Sequence, residues 1–242
     1  MIPEAVGPTP EQKAQWEEEG YIVLENALRG AQLQRLQAAF DKAAIECKED
    51  WLARVARGET MPTCFDIPQP LERDEIFVDI VDHPSWFGLL QDFTDGETLF
   101  LGPQVRSVPV WPVSYTGWHA DVPMSNPLHI KVQIYVEDVD EKSGEFAFVP
   151  GSHRAGSGPY KRPKMGESMP GHRRLPGKAG TAIVFNSYGW HTTMDNTTTT
   201  SRKSIILIYE RRTPEKVHPD AFEAIAPLCT TPERRALFGL EV

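Results

Sequence analysis

The chain has 242 residues, 40% hydrophobic and 24% charged, which suits one globular domain with ample length for a core. No apolar run is long enough to cross a bilayer, which argues against membrane insertion. A formal net charge of -9, from 25 basic and 34 acidic residues, opposes a broad phosphate-binding surface and argues against nucleic acid as a partner, while still allowing a local basic pocket.

The first residues, MIPEAVGPTPEQ, lack the basic start and apolar stretch of a secretory signal, so a cytoplasmic location is expected. Cys47, Cys64 and Cys229 are odd in number and share no metal-ligand spacing, which predicts free thiols with packing roles. Thr9-Pro10-Glu11-Gln12 predicts a helix start with Thr9 as N-cap and Gln12 closing a capping box, and Gly20 predicts its end. Tyr21 to Leu24 suits a short strand. A long helix follows from about Ala31, where Leu33, Leu36, Phe40, Cys47, Trp51 and Val55 lay one apolar stripe at intervals mostly of three and four. Gly58 and Pro62 end it, residues 60 to 74 read as irregular loop, and His83-Pro84 precedes a helix over 85 to 93.

From Leu99 the texture changes to short β-branched and aromatic runs over 99 to 111, 129 to 137, 145 to 149, 180 to 186 and 203 to 210, separated by Gly, Pro, Asn and Asp. The fold class expected is therefore mainly β with flanking helices, a sandwich or small barrel with the N-terminal helices packed outside. One domain spans 1 to 242, with a helical part over 9 to 95, a β core over 98 to 211 and a C-terminal extension over 212 to 242.

TGWHADVP, residues 116 to 123, carries the first chemistry-bearing pair. On a strand His119 and Asp121 share a face and can converge on one metal ion, and His191, just past the strand candidate ending at Asn186, supplies a third ligand. Two imidazoles and one carboxylate form the facial triad of non-haem Fe(II) oxygenases, which leaves three coordination positions open. His-x-Asp alone is a weak signal, since an ordinary hydrogen-bonded pair has the same spacing. Arg202 strengthens it: with Ser204 it shares one face of the strand IILIYE, and a guanidinium there calls for a carboxylate partner. An exposed charge at a strand end is the ordinary alternative.

The set His119-x-Asp121, SGEFAFVPGSHR over 143 to 154, His191 and Arg202-x-Ser204, with the opening EQKAQWEEEGYIVLENAL, resembles the phytanoyl-CoA dioxygenase family of Fe(II)- and 2-oxoglutarate-dependent oxygenases from about Thr9 to Arg211. The resemblance implies a double-stranded β-helix (jelly-roll, cupin-like) core. It implies Fe(II), 2-oxoglutarate and O2 as cofactors, with His119, Asp121 and His191 on the metal and Arg202 on the distal carboxylate of 2-oxoglutarate. Thr193 falls where the family often supports that cosubstrate, and Gln133 and Gln104 fall near positions that contact it, although an aromatic residue is frequent where Gln133 stands. Ser204 either adds a hydroxyl there or faces the core. The implied reaction oxidises, most simply hydroxylates, a C-H bond of a small molecule while 2-oxoglutarate is converted to succinate and CO2. Because Asp121 is retained, an oxidation without halogen is expected.

The substrate is less legible. Residues 154 to 178 carry Arg154, Lys161, Arg162, Lys164, Arg173, Arg174 and Lys178 against only Glu167, which suggests a lid that draws in an anionic substrate, or simply a solvated loop. Arg106, in phase with Gln104, either faces the pocket as a substrate ligand or points outward. Trp111, Tyr115, Trp118 and Trp190 either wall the cavity or fill the core, and His153 ties down the PGSHR turn rather than touching metal. His83, His129, His172 and His218 take surface or local hydrogen-bonding roles. Two other accounts stay open: a metal-dependent cupin-type isomerase or hydrolase, which has no need of Arg202, and a non-catalytic small-molecule-binding barrel. The oligomeric state is open as well.

Overall fold

The computed structural model describes residues 5 to 113 and 116 to 240. In chain order it contains α1 (Pro10–Glu19), β1 (Tyr21–Leu24), α2 (Gly30–Ala56), β2 (Phe65–Asp66), α3 (Pro70–Arg73), α4 (Ile76–Asp79), α5 (Pro84–Phe93), β3 (Thr98–Val108) and β4 (His129–Tyr135). These lead to β5 (Phe146–Phe148), β6 (Arg173–Leu175), β7 (Ala182–Asn186), β8 (His191–Thr193), β9 (Arg202–Arg211), two 3-10 segments over Pro214–Lys216 and Pro219–Leu228, and α6 (Pro232–Leu237).

The helices form where the sequence signals them. Thr9 closes the capping box with Gln12 at the start of α1, and Gly20 ends it at φ 85, a left-handed conformation that glycine adopts without steric cost. In α2 the predicted stripe is inward: Leu36, Phe40 and Cys47 are buried, with Leu33 and Trp51 packed against the same cluster. Residues 60 to 74 depart from the loop expected there. They hold β2, which pairs with β3 through Phe65–Ser107 and Asp66–Arg106, and the single turn α3. A two-residue strand and a four-residue helix are shorter than any periodic pattern can reveal.

The six-stranded sheet runs β1-β7-β4-β9-β3-β2 and the smaller one β6-β5-β8, and the strand pairs are antiparallel. Alternation along the central strands divides the interior. Ile130, Val132 and Ile134 of β4, with Leu207 and Tyr209 of β9, join the large cluster that includes Phe40, Phe77 and Trp86 of the helices. The residues between them, Lys131, Gln133 and Tyr135 on β4 and Arg202, Ser204 and Ile206 on β9, take the opposite face. There Tyr135, Ile183 and Phe185 meet Phe146 and Phe148 of the small sheet. The result is a jelly roll with helices covering one outer face and a polar gap between its two sheets. Among the described residues no helix is long and apolar enough to cross a membrane.

Candidate active site

The site is built where the small sheet leans over the inner face of β4 and β9. His191 opens β8, and its backbone exchanges two hydrogen bonds with His119, at 2.9 and 3.0 Å. His119 lies in this isolated bridge and Asp121 in a bend, so the strand expected to carry both does not form. Convergence has a different cause: the Asp121 amide donates to the Ser187 carbonyl at 3.0 Å, which turns the chain back toward His191.

The ligand-bearing atoms of His119, Asp121 and His191 lie within 4.8 Å of one another, and the three side chains together could hold a metal ion. Their chemistry suits one. Nδ1 of His119 donates to the Gly117 carbonyl and Nδ1 of His191 to the Gly189 carbonyl, each at 2.9 Å. A carbonyl only accepts, so in the neutral rings each Nε2 is left with its lone pair free. Those nitrogens stand 3.8 and 3.3 Å from the Asp121 carboxylate. Burial, with His119 adding to it, lowers the His191 pKa to about 4, so the ring is neutral near pH 7. Burial alone would raise the Asp121 carboxyl, but His191, Lys131 and His119 more than offset it, and its pKa lies below the ordinary carboxylate range. Asp121 Oδ2 is buried with no hydrogen-bond partner, the state of an oxygen kept for a cation.

These residues open into a cavity of about 150 Å³ that Gln104, Gln133, Thr193 and Arg202 also line. Arg202 is 2% exposed, and its Nε and Nη1 find no partner; Nη2 reaches the Thr193 hydroxyl at 3.5 Å and the guanidinium lies 5.9 Å from the Tyr135 ring centre. A buried guanidinium with two free donors fits a carboxylate, so the residues present suit both groups the sequence implied. Ser204 does not line this cavity. It is fully buried behind Gln133, whose amide donates to its hydroxyl, and so it orients that side chain.

The profile of the family described as "Phytanoyl-CoA dioxygenase (PhyH)" matches residues 16–204, most of the chain. The chain belongs to this family. It is an iron- and 2-oxoglutarate-dependent oxygenase that uses O2. Among its relatives, L-proline trans-4-hydroxylase of Streptomyces griseoviridis is 22% identical over 88% of this chain and 90% of its own length. Ectoine dioxygenase of Nocardia farcinica is 22% identical over 90% and 83%. The fold matches that of HygX from Streptomyces hygroscopicus, solved with nickel and 2-oxoglutarate bound, with a TM-score of 0.65 at 14% identity over 84% of this chain and 87% of that one.

Other expectations need correction. Arg106 lines the cavity, and Asp66 holds its guanidinium there in two bonds of 2.7 and 2.9 Å, so of its two readings the outward one is excluded. Three of the seven basic residues over 154 to 178 are ion-paired, Arg173 with Glu19, Arg174 with Glu145 and Lys178 with Asp138, while Arg162 donates to the Thr116 carbonyl. These partners are distant in sequence, so a local charge count does not include them.

The aromatic wall is also different. Phe146 and Phe185 line the cavity, Trp118 and Trp190 pack in a separate cluster with Val149 and Met169, Trp111 is 46% exposed, and Tyr115 lies outside the described residues. His153 packs against Gly20, outside the cavity. His129 is buried rather than at the surface, and burial, with Lys131 and Lys216 nearby, lowers its pKa to about 4.

Two cavity residues escaped the sequence altogether. Cys64 lines it beside Arg106, although it was assigned to packing. Lys131 reaches Asp121 from β4 at 2.6 Å. The only available signal was a lysine in phase with Gln133 on a strand whose inner face had already been read as functional.

Proposed function

We propose that the whole chain acts as one oxygenase domain that hydroxylates a C-H bond of a small molecule carrying an anionic group, with His119, Asp121 and His191 as the iron ligands. One observation carries the assignment: a buried guanidinium with unpaired donors shares a small cavity with a His-Asp-His cluster in which one buried carboxylate oxygen has no hydrogen-bond partner among the described residues. An isomerase or hydrolase would have no use for the former. Iron, when bound with 2-oxoglutarate, supplies the oxidising chemistry that couples C-H oxidation to formation of succinate and CO2.

The protein contributes geometry and charge. Arg202 would donate from its planar fork to the distal carboxylate of the cosubstrate, and Thr193, within reach of the same guanidinium, would add a hydroxyl. Gln133, oriented by Ser204, and Gln104 from β3 offer amides on the wall of the same cavity. The Gly117 and Gly189 carbonyls hold both imidazoles in the tautomer that ligates through Nε2. Phe146 and Phe185 exclude water from the reacting region. The anionic character of the substrate is supported by Arg106, a cation on the cavity wall whose two bonds to Asp66 use Nε and Nη2 and leave the Nη1 donors to a ligand. The names of the two relatives, proline and ectoine oxygenases, agree with a compact substrate.

The test is anaerobic addition of Fe(II) and 2-oxoglutarate, read as the visible charge-transfer band of the chelate, followed by succinate release in air with a panel of small carboxylates and their neutral analogues. Wild type is expected to give the band and Asp121→Ala to lose it. A band that survives in Asp121→Ala would remove the ligand assignment, and a preference for neutral analogues would remove the anionic substrate.

A further inference from the structure

Lys131 is an unusual neighbour for a metal ligand. It sits in the middle of the six-stranded sheet, paired across to Phe185 on β7 and Ile208 on β9, so its backbone has no freedom to move aside. Its ammonium is 2.6 Å from Asp121 Oδ1, with the two side chains 11% and 15% exposed. The second oxygen, Oδ2, has no hydrogen-bond partner and stands 3.3 Å from His191 Nε2. The carboxylate is thus divided: Oδ1 is committed to a fixed cation, with His119 Nε2 farther off at 3.8 Å, and Oδ2 is left bare toward His191.

We propose that Lys131 is a positioning residue that confines Asp121 to binding metal through one oxygen. This rests on the ligand assignment of the preceding section. A carboxylate can bind a cation through one oxygen or both, and the two-oxygen mode consumes an extra coordination position. A centre that must also accept a bidentate cosubstrate and O2 has three positions beyond its triad and none to spare. By occupying Oδ1, Lys131 keeps those positions free. The same ammonium opposes the incoming cation, so the arrangement gives up some metal affinity to keep room for 2-oxoglutarate.

That trade sets opposite signs for two measurements. With Co(II) as a redox-silent metal, Lys131→Met in the full chain is expected to bind metal alone ~10-fold more tightly and 2-oxoglutarate, once metal-loaded, ~10-fold more weakly, the scale usual for groups that orient a metal ligand. The Co(II) absorption spectrum of the variant should shift before 2-oxoglutarate is added, and Lys131→Arg, which keeps a cationic donor, should restore the wild-type spectrum. Unchanged affinities, or a fall in both together, would overturn the role of Lys131. Wild-type metal binding that persists in Asp121→Ala would instead overturn the ligand assignment. Infrared difference spectra of the metal-loaded wild type with labelled aspartate need no variant: the carboxylate stretches should report one-oxygen ligation, and a two-oxygen signature would refute the inference even if Lys131→Met did not fold.

Discussion

At the scale of single residues, the site is recognisable by what its side chains lack. Buried polar groups in folded proteins are almost always paired, yet among the described residues Asp121 Oδ2 and Arg202 Nε and Nη1 are not, and unlike other unpaired buried atoms such as Glu145 Oε2 and Glu210 Oε1 they belong to residues that line one cavity. Arg202 makes the sharper case because its burial is uncompensated by any carboxylate, and burial accordingly lowers its pKa. Arg202→Ala is expected to weaken 2-oxoglutarate binding on the order of 100-fold, about 2.7 kcal/mol. The same variant, without 2-oxoglutarate, should unfold at no lower denaturant concentration than wild type, since it removes a desolvated charge rather than half of a pair. Equilibrium dialysis and a urea titration check both, and equal cosubstrate affinity would disprove the role. The convergence of His119, Asp121, His191 and Arg202 on one cavity was legible because ligand chemistry restricts residue type. Lys131 was not, since a lysine ten residues from its partner has no local signature.

At the scale of elements, long segments were readable and short ones were not. The 27 residues of α2 carry several turns of apolar stripe, and the capping box of α1 is a contiguous pattern. In contrast β6 and β8 have three residues each and exist only because β5 lies between them. One junction shows how tightly the elements are joined. Gly180, at φ +84 just before β7, donates to the Tyr135 carbonyl at 2.8 Å and accepts from Leu28 at 3.0 Å. A Cβ there would lie 2.0 Å from the Leu28 carbonyl oxygen, and backbone cannot yield as a flexible side chain would. Gly180→Ala is therefore expected to destabilise the protein by about 2–4 kcal/mol, through strain at positive φ and the forced separation of two backbone segments. A urea midpoint equal to that of wild type would refute this.

At the scale of the whole molecule, the inner face of the large sheet holds ionisable groups whose burial links stability to pH. His129 has its pKa lowered from 6.5 to about 4 by burial and by nearby Lys131 and Lys216. The unfolded chain takes up this proton first, so the contribution of neutral His129 is complete above about pH 6.5 and is lost as pH falls toward about 4. In the metal-free protein, His129→Gln should flatten the loss of stability between pH 6.5 and 4 by up to one proton equivalent. Urea unfolding at several pH values in the presence of a chelator checks it, and identical pH dependence in variant and wild type would count against it.

What the amino-acid sequence determined alone was whatever is written locally or in residue type: the caps, the apolar stripe of α2, the β texture after Leu99, and a His-Asp-His set, able to hold a metal, whose chemistry admits few other residues. Tertiary structure decided which charges meet. Arg106 is held by Asp66, Arg173, Arg174 and Lys178 pair with Glu19, Glu145 and Asp138, and Lys131 is aimed at Asp121. The reason is physical: hydrogen-bonded turns and apolar periodicity act over a few residues and leave a repeating trace in the chain. Coulombic pairing acts through space between segments that only the closed barrel brings together.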